Sequence, residues 1–221
     1  MEQLQPYDNE QLDAYEIGYK GQFWDRRARL DTSLFYYAYK DQQVFAQALR
    51  NGLTVLVLDN AGDSTVYGAE VEGSVSPIDN LDISAGLSLL HAEYDDFISE
   101  GEDYSGNRLP QSPKATLNAS VTYTWPLGSR GDVVANLNTT YSSKVYFDNS
   151  NKERLSQDAV WNTGAQISWR SGSSGLEAGI FARNIFDEDW IVNISPIDSL
   201  GVDLVTYNRP RSVGVFLRYS Y

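Results

Sequence analysis

The chain is predicted to be all-β, an antiparallel meander of about nine long strands shaped to line a transmembrane barrel. Three observations carry that prediction. Apolar and polar residues alternate with period two over most of the chain. Short and long connections alternate in turn, and aromatic residues gather at both ends of the alternating runs.

The first run places Tyr15, Ile17, Tyr19, Gly21 and Phe23 on one face, and the second places Leu30, Thr32, Leu34, Tyr36 and Ala38 there. The third reads Tyr67, Ala69, Val71, Gly73 and Val75. In the fourth, Leu81, Ile83, Ala85, Leu87 and Leu89 are separated by Asp82, Ser84, Gly86 and Ser88. The fifth alternates without a break from Ala115 to Trp125, with Thr116, Asn118, Ser120, Thr122 and Thr124 on the polar side. Runs from Val133 to Tyr141, Trp161 to Trp169, Leu176 to Ala182 and Val213 to Tyr221 complete nine, and no stretch has a helical apolar period.

Turn chemistry marks Trp24 to Arg27, Pro77 to Asn80, Pro126 to Gly131 and Ser171 to Ser174 as tight connections. Long segments alternate with them: Gln43 to Ser64, His91 to Pro113, Phe147 to Asp158 and Asp187 to Arg209. Asn51-Gly52, flanked by Ala46 to Arg50 and Leu53 to Leu58, signals a type I′ hairpin inside the first long segment. One tight end and one elaborate end is the plan of an outer-membrane barrel. A soluble antiparallel sandwich also alternates, but has no reason to segregate its loop lengths. Phe23, Trp24, Tyr123, Trp125, Trp169, Tyr219 and Tyr221 sit at the tight-turn ends; Tyr36, Tyr37, Tyr39, Tyr94, Tyr141, Tyr146 and Trp161 sit toward the others. Two headgroup-level girdles are expected. With an odd strand count the first and last strands run parallel, so the sheet is expected to stay open.

Charge agrees with that plan. The chain has 221 residues, 17 Lys plus Arg against 30 Asp plus Glu, and a net charge of −13, of which the four long segments hold −11. The charges within strands, Glu16, Lys20, Asp31, Glu70, Glu72, Asp82, Glu177, Arg183 and Arg218, fall opposite the apolar face, as a hydrated lumen requires. So acidic a chain is not expected to bind nucleic acid. No cysteine and one histidine remove thiol catalysis, cysteine-ligated metals and His-rich sites. The acidic residues Glu93, Asp95, Asp96, Glu100, Glu102 and Asp103 lack the ligand spacing of a calcium loop, and no serine sits in a nucleophile elbow. Neither catalytic residues, nor a metal site, nor a cofactor are expected. Met1 to Glu10 has neither the basic nor the apolar region of a signal peptide.

Several stretches together resemble the C-terminal β-barrel portion of TonB-dependent outer-membrane receptors of the siderophore-receptor type. They are Leu4 to Gly21 (LQPYDNEQLDAYEIGYKG), Phe35 to Phe45 (FYYAYKDQQVF), Tyr67 to Gly73 (YGAEVEG), Gly106 to Lys114 (GNRLPQSPK), Asn184 to Asp189 (NIFDED) and Tyr207 to Tyr221 (YNRPRSVGVFLRYSY). The resemblance implies that the nine strands are the C-terminal segment of a barrel of about 22 strands filled by a plug. Residues 1–12 would be an extracellular-loop remnant and 13–221 a partial barrel, the chain being a fragment or truncated product. The implied function is energised uptake of a scarce bulky ligand, foremost a ferric siderophore, across the outer membrane of a Gram-negative bacterium. Its implied partners are outer-membrane lipid, the TonB energy-transducing system acting through the absent plug, and the barrel assembly machinery. A passive porin-like channel and a soluble β-rich binding module are the alternatives. Loop residues Tyr104, Arg108, Trp190, Tyr207 and Arg209 are candidate ligand contacts, because anionic chelates favour Arg and planar aromatics. Phe216, Tyr219 and Tyr221 resemble the terminal signal that such barrels present to their assembly machinery.

Overall fold

The computed structural model describes residues 9–50, 53–60, 62–99 and 101–220. The strands, in chain order, are β1 (Gln11–Phe23), β2 (Ala28–Lys40), β3 (Gln43–Arg50), β4 (Leu53–Asn60), β5 (Ser64–Val75), β6 (Leu81–Tyr94), β7 (Ile98–Ser99), β8 (Glu102–Asp103) and β9 (Ala115–Pro126). They continue with β10 (Asp132–Ser142), β11 (Val145–Tyr146), β12 (Ser156–Gln157), β13 (Val160–Arg170), β14 (Leu176–Arg183), β15 (Ile191–Ile197), β16 (Val202–Tyr207) and β17 (Ser212–Tyr219). Among the described residues the only helical pieces are three 3-10 turns.

Nine strands form one sheet in the order β1-β2-β5-β6-β9-β10-β13-β14-β17, every pair antiparallel. These are the nine alternating runs, paired with their neighbours in sequence. β1 and β17 lie at opposite ends, so the sheet is open.

Register converts the alternation into two faces, because residues directly opposite one another project to the same side. Val71, Leu87, Leu117, Tyr141 and Trp161 form one unbroken outer row. Ile83, Val121, Leu137, Ala165, Ala182 and Val213 form another. The outer side chains have nothing packed on them: Ile17 is 71% exposed, Ile180 54% and Val215 80%. Among the described residues no second sheet covers this face, and the remaining four sheets are two-stranded and lie in the long connections. An apolar face this wide needs lipid, which argues against the sandwich. The opposite face carries the charges, including Lys20, Asp31 and Glu72 in one row and Arg170, Glu177 and Arg218 in another.

Period two also corrects the upper girdle. Tyr36 faces out, but its neighbours Tyr37 and Tyr39 need not share its face: Tyr37 pairs with Ala14 and Val66 on the inner side, and Tyr39, two residues on, follows it. Tyr94 is buried and Tyr146 lies in a loop. The outer row at that level is Tyr15, Tyr36, Tyr67 and His91, with Tyr36 and Tyr67 stacked at 6.5 Å and Tyr67 and His91 at 4.5 Å. Tyr141 and Trp161 touch at 4.8 Å farther along.

The tight turns are braced to one another. Arg27 pairs with Asp79 of the next turn at 2.8 Å, and Trp169 Nε1 donates to the Arg130 carbonyl at 2.9 Å. Gly131 has φ of 97°, and a Cβ there would lie 1.9 Å from the Arg170 carbonyl oxygen, so this turn requires glycine. Inner-face glycines face aromatic partners: Gly68 opposes Phe35, Gly179 opposes Phe216 and Gly214 opposes Phe181. In each pair the ring lies over the glycine, within 3 Å of where a Cβ would stand. Phe216 and Tyr219 therefore project to opposite faces of β17, and Tyr221 lies outside the described residues.

Every long connection folds into a hairpin of its own: β3 with β4, β7 with β8, β11 with β12 and β15 with β16. Arg50 opposes Leu53, so the first has the two-residue connection that Asn51-Gly52 signals; those two residues lie outside the described ones. The largest fully buried side chains, Tyr94, Phe97 and Leu155, are in or beside these loops and not between the barrel strands.

Candidate functional site

The four long connections converge over the inner face and enclose a cavity of about 1000 Å³. Its floor starts at the end of β6. Tyr94 and Phe97 pack at 4.8 Å, Phe97 and Tyr104 at 5.3 Å, and Val44 and Leu109 close around them. This small apolar core fixes two loops at once, because Val44 belongs to the first and the rest to the second.

Asn149 joins the third. The Tyr94 hydroxyl donates to its Oδ1 at 2.9 Å, its Nδ2 donates to the Phe45 carbonyl at 3.1 Å, and Asn107 Nδ2 donates to its own carbonyl at 2.8 Å. Asn149 is buried, and these bonds engage its side-chain oxygen, its side-chain nitrogen and its carbonyl. Asn151, with φ of 51°, clasps Arg108 reciprocally: the Arg108 amide donates to Oδ1 at 2.8 Å and Nδ2 donates to the Arg108 carbonyl at 2.9 Å. Arg154 reaches the fourth loop, pairing with Asp198 at 2.8 Å and with Asp203.

The fourth loop is clamped at its base by two of the sequence motifs. Asn184 accepts from the Glu188 amide at 2.9 Å and donates to the Glu188 and Arg209 carbonyls. Asn208 accepts from the Trp190 amide at 2.9 Å, and the Asp187 carboxylate accepts from the Arg211 amide at 2.8 Å.

Four carboxylates, Glu102, Asp103, Asp148 and Asp198, line the cavity against one ammonium, Lys152. The hydroxyl and amide of Ser105 bond to Asp103 and hold its carboxyl below the usual range. Burial pushes the Tyr104 hydroxyl up, with Glu102, Asp148 and Asp198 adding to the effect, so Tyr104 stays a neutral donor. Hydrogen-bond acceptors and negative potential suit a neutral or cationic, donor-rich ligand and repel polyanions.

The five candidate contacts separate. Tyr104 lines the cavity. Trp190 lines a neighbouring hollow of about 350 Å³, which shares Phe147 with the large cavity. Arg108 donates to the Ser112 and Lys144 carbonyls and lies 5.6 Å from the Tyr146 ring, so its guanidinium holds loops together. Tyr207 is exposed on β16 opposite Ile191, and Arg209 is engaged through its carbonyl; neither lines the two cavities. Asn149 and Asn151, which organise the site, carry no sequence signal beyond being polar loop residues. The acidic run is dispersed: Glu93 pairs with His91 at 3.4 Å, Asp95 accepts from Thr65 at 2.6 Å, and only Glu102 and Asp103 reach the cavity, Glu100 lying outside the described residues.

A model of the β-barrel of TonB-dependent-receptor-like proteins matches residues 3–185. The pesticin receptor of Yersinia pestis is 25% identical over 219 residues, covering 98% of this chain and 30% of that protein. The ferric-pyoverdine 358 receptor of Pseudomonas putida is 27% identical over 230 residues, covering 98% of this chain and 25% of that protein. The chain thus spans less than a third of these curated relatives. Among solved structures, the ferric yersiniabactin uptake receptor of Yersinia pestis superposes with a TM-score of 0.79 at 21% identity, over 96% of this chain and 30% of that one. A copper transporter, OprC, gives 0.76 at 15% identity, over 98% and 32%. These superpositions establish a shared wall of strands.

Proposed function

The chain belongs to the TonB-dependent receptor β-barrel family, and from that premise we propose that it is the wall segment of an outer-membrane receptor that takes up a ferric siderophore. One observation supports the reading above others: a lipid-demanding outer face and a polar inner face meet under four interlocked loops that enclose a cavity of about 1000 Å³. That volume is at the upper end of small-molecule sites, as a bulky chelate requires. The ligand class follows from the pesticin and ferric-pyoverdine receptors to which the chain is related. The acidic lining favours a chelate of neutral or positive charge.

In this reading the receptor resides in the outer membrane of a Gram-negative bacterium, and the rest of the protein supplies a plug through which the TonB system delivers energy. Tyr104 donates to the ligand from the cavity wall, Trp190 meets it in the adjoining hollow, and Arg108 positions the loop that carries Tyr104. Tyr207 and Arg209 would contact it only if the last loop folded inward. The role of the protein is transport and reception, as for its relatives, with no catalytic step.

Deleting the gene in iron-starved cells and measuring uptake of radioiron-loaded ferric pyoverdine and ferric yersiniabactin tests the reading. Energy-dependent uptake of one of them should vanish and return on complementation. Unchanged uptake of both, together with lowered permeability to small sugars, would support a passive channel instead.

A further inference from the structure

We infer that the ligand descends through the lumen along one sector of the wall, that of β9, β10 and β13; this rests on the transport reading above. The inner face is divided by charge. On β1, β2 and β5 it carries Glu16, Lys20, Arg29, Asp31, Glu70 and Glu72. On β14 and β17 it carries Glu177, Arg183 and Arg218. Between them, from Thr116 to Thr124, from Val134 to Ser142 and from Val160 to Ser168, every inward residue is uncharged and most are Asn, Gln, Ser or Thr, with Asp132 and Arg170 at the tight-turn ends and Asp82 on the adjoining β6.

The neutral sector is also where the concavities line up. The loop cavity shares Phe147 with the hollow of about 350 Å³, which Thr140 and Asn162 line from the wall. Asn162 in turn lines a cleft of about 560 Å³ bordered by Asn138 and Gln166 on one side and by Arg183 and Arg218 on the other. Three hollows thus follow one another from the loops down to the middle of the wall, each sharing a residue with the next.

Chemistry favours this sector for movement. Charged groups make strong bonds with whatever fills the lumen, and such bonds hold a filling domain in place. Neutral amides and hydroxyls exchange partners with water at little net cost. Here they already bond among themselves: Asn136 Nδ2 donates to Ser120 at 2.9 Å and to Thr122 at 2.8 Å, and Asn138 Nδ2 donates to Asn136 Oδ1 at 3.1 Å. A hydrated ligand passing over this surface finds donors and acceptors throughout; the charges beside it are Arg183 and Arg218 on the β14 and β17 side of the cleft, and the Asp132, Arg170 and Glu177 row lies at the far end.

The chain contains no cysteine, so single cysteines placed in it report position in a full-length receptor from which any cysteine elsewhere has been removed. In intact, energised, iron-starved cells, Asn138→Cys, Asn162→Cys and Gln166→Cys should react with a membrane-impermeant maleimide severalfold faster than Ser33→Cys and Glu70→Cys. The difference should shrink when the proton gradient is collapsed. Equal labelling of both sectors, or faster labelling at 33 and 70, overturns the inference. Asn162→Trp should lower uptake of radioiron-loaded ferric pyoverdine or ferric yersiniabactin severalfold with surface binding unchanged, whereas Ser33→Trp should not. Normal uptake by Asn162→Trp overturns the path alone. Absence of uptake of both chelates in wild-type cells overturns the transport reading beneath it.

Discussion

Leu117 lies between Leu87 and Tyr141 in the outer row, while Ser88, one residue along, projects to the lumen beside Thr116. Arginine at Leu87 or Leu117 should therefore cost about 2–4 kcal/mol if the row lies near the bilayer midplane, and Ser88→Arg should be tolerated. A folding titration of the complete barrel in bilayers measures both; equal damage would reverse the facing assignment. Inside, Phe216→Ala strips the ring from Gly179 and should cost up to about 1 kcal/mol as a lost cross-strand pair. At the site, Asn149→Ala leaves the buried Tyr94 hydroxyl and the Phe45 carbonyl without their partner, a loss of about 1–3 kcal/mol. Because the loss falls on the loop layer, hydrogen exchange should accelerate over residues 94–109 while the wall strands keep their protection.

The loop hairpins are held to each other by side chains with very different exposure. Lys144 holds the Glu153 carboxyl below the ordinary carboxylate range by direct hydrogen bonding, and Glu153 raises the Lys144 ammonium in return. A depressed acid contributes its bond above its ordinary pKa and loses it as pH falls through the lowered value. Acidification below the carboxylate range should loosen residues 143–159, and high salt should do so at neutral pH because the pair is exposed. Amide exchange in that loop measures both effects. Arg154→Ala should loosen the tip of the fourth loop against the third without unfolding either, the Ile191 amide still donating to Gln157 at 2.7 Å, which a fluorophore on each loop tip reads as increased separation.

Strands and loops differ in what their residues disclose. Nine strands were legible because each face repeats several times along 8 to 14 residues, and one slip would reverse every side chain. The hairpins β7 with β8 and β11 with β12 have two residues per strand, too few for any period to show. Tyr104, singled out in the sequence as a loop aromatic, lies on the cavity wall. Asn149 and Asn151 were not singled out, since their roles come from partners some 40 to 100 residues away.

At the scale of the molecule, β1 and β17 are the edge strands of the sheet among the described residues, and an isolated segment with such edges and a bare apolar face should aggregate unless lipid or detergent is present. Light scattering after refolding with and without detergent tests this. Replacing Tyr219 and Tyr221 by Ser in the full-length protein should lower the folded, heat-modifiable fraction in the outer membrane with synthesis unchanged; pulse-chase insertion at the wild-type rate would leave these residues a girdle role only.

The strict alternation of tight turn and folded loop sets a rule for how such a wall changes over time. Inserting one strand would reverse the direction of everything after it and send the long, acidic loops to the opposite side of the membrane. Inserting two leaves every loop where it was. The heritable unit is thus the hairpin, cut at a tight turn such as residues 24–27 or 127–131. Receptors for new ligands would then arise by exchanging whole hairpins, each bringing one ready-folded loop to the mouth and one strip of lumen beneath it.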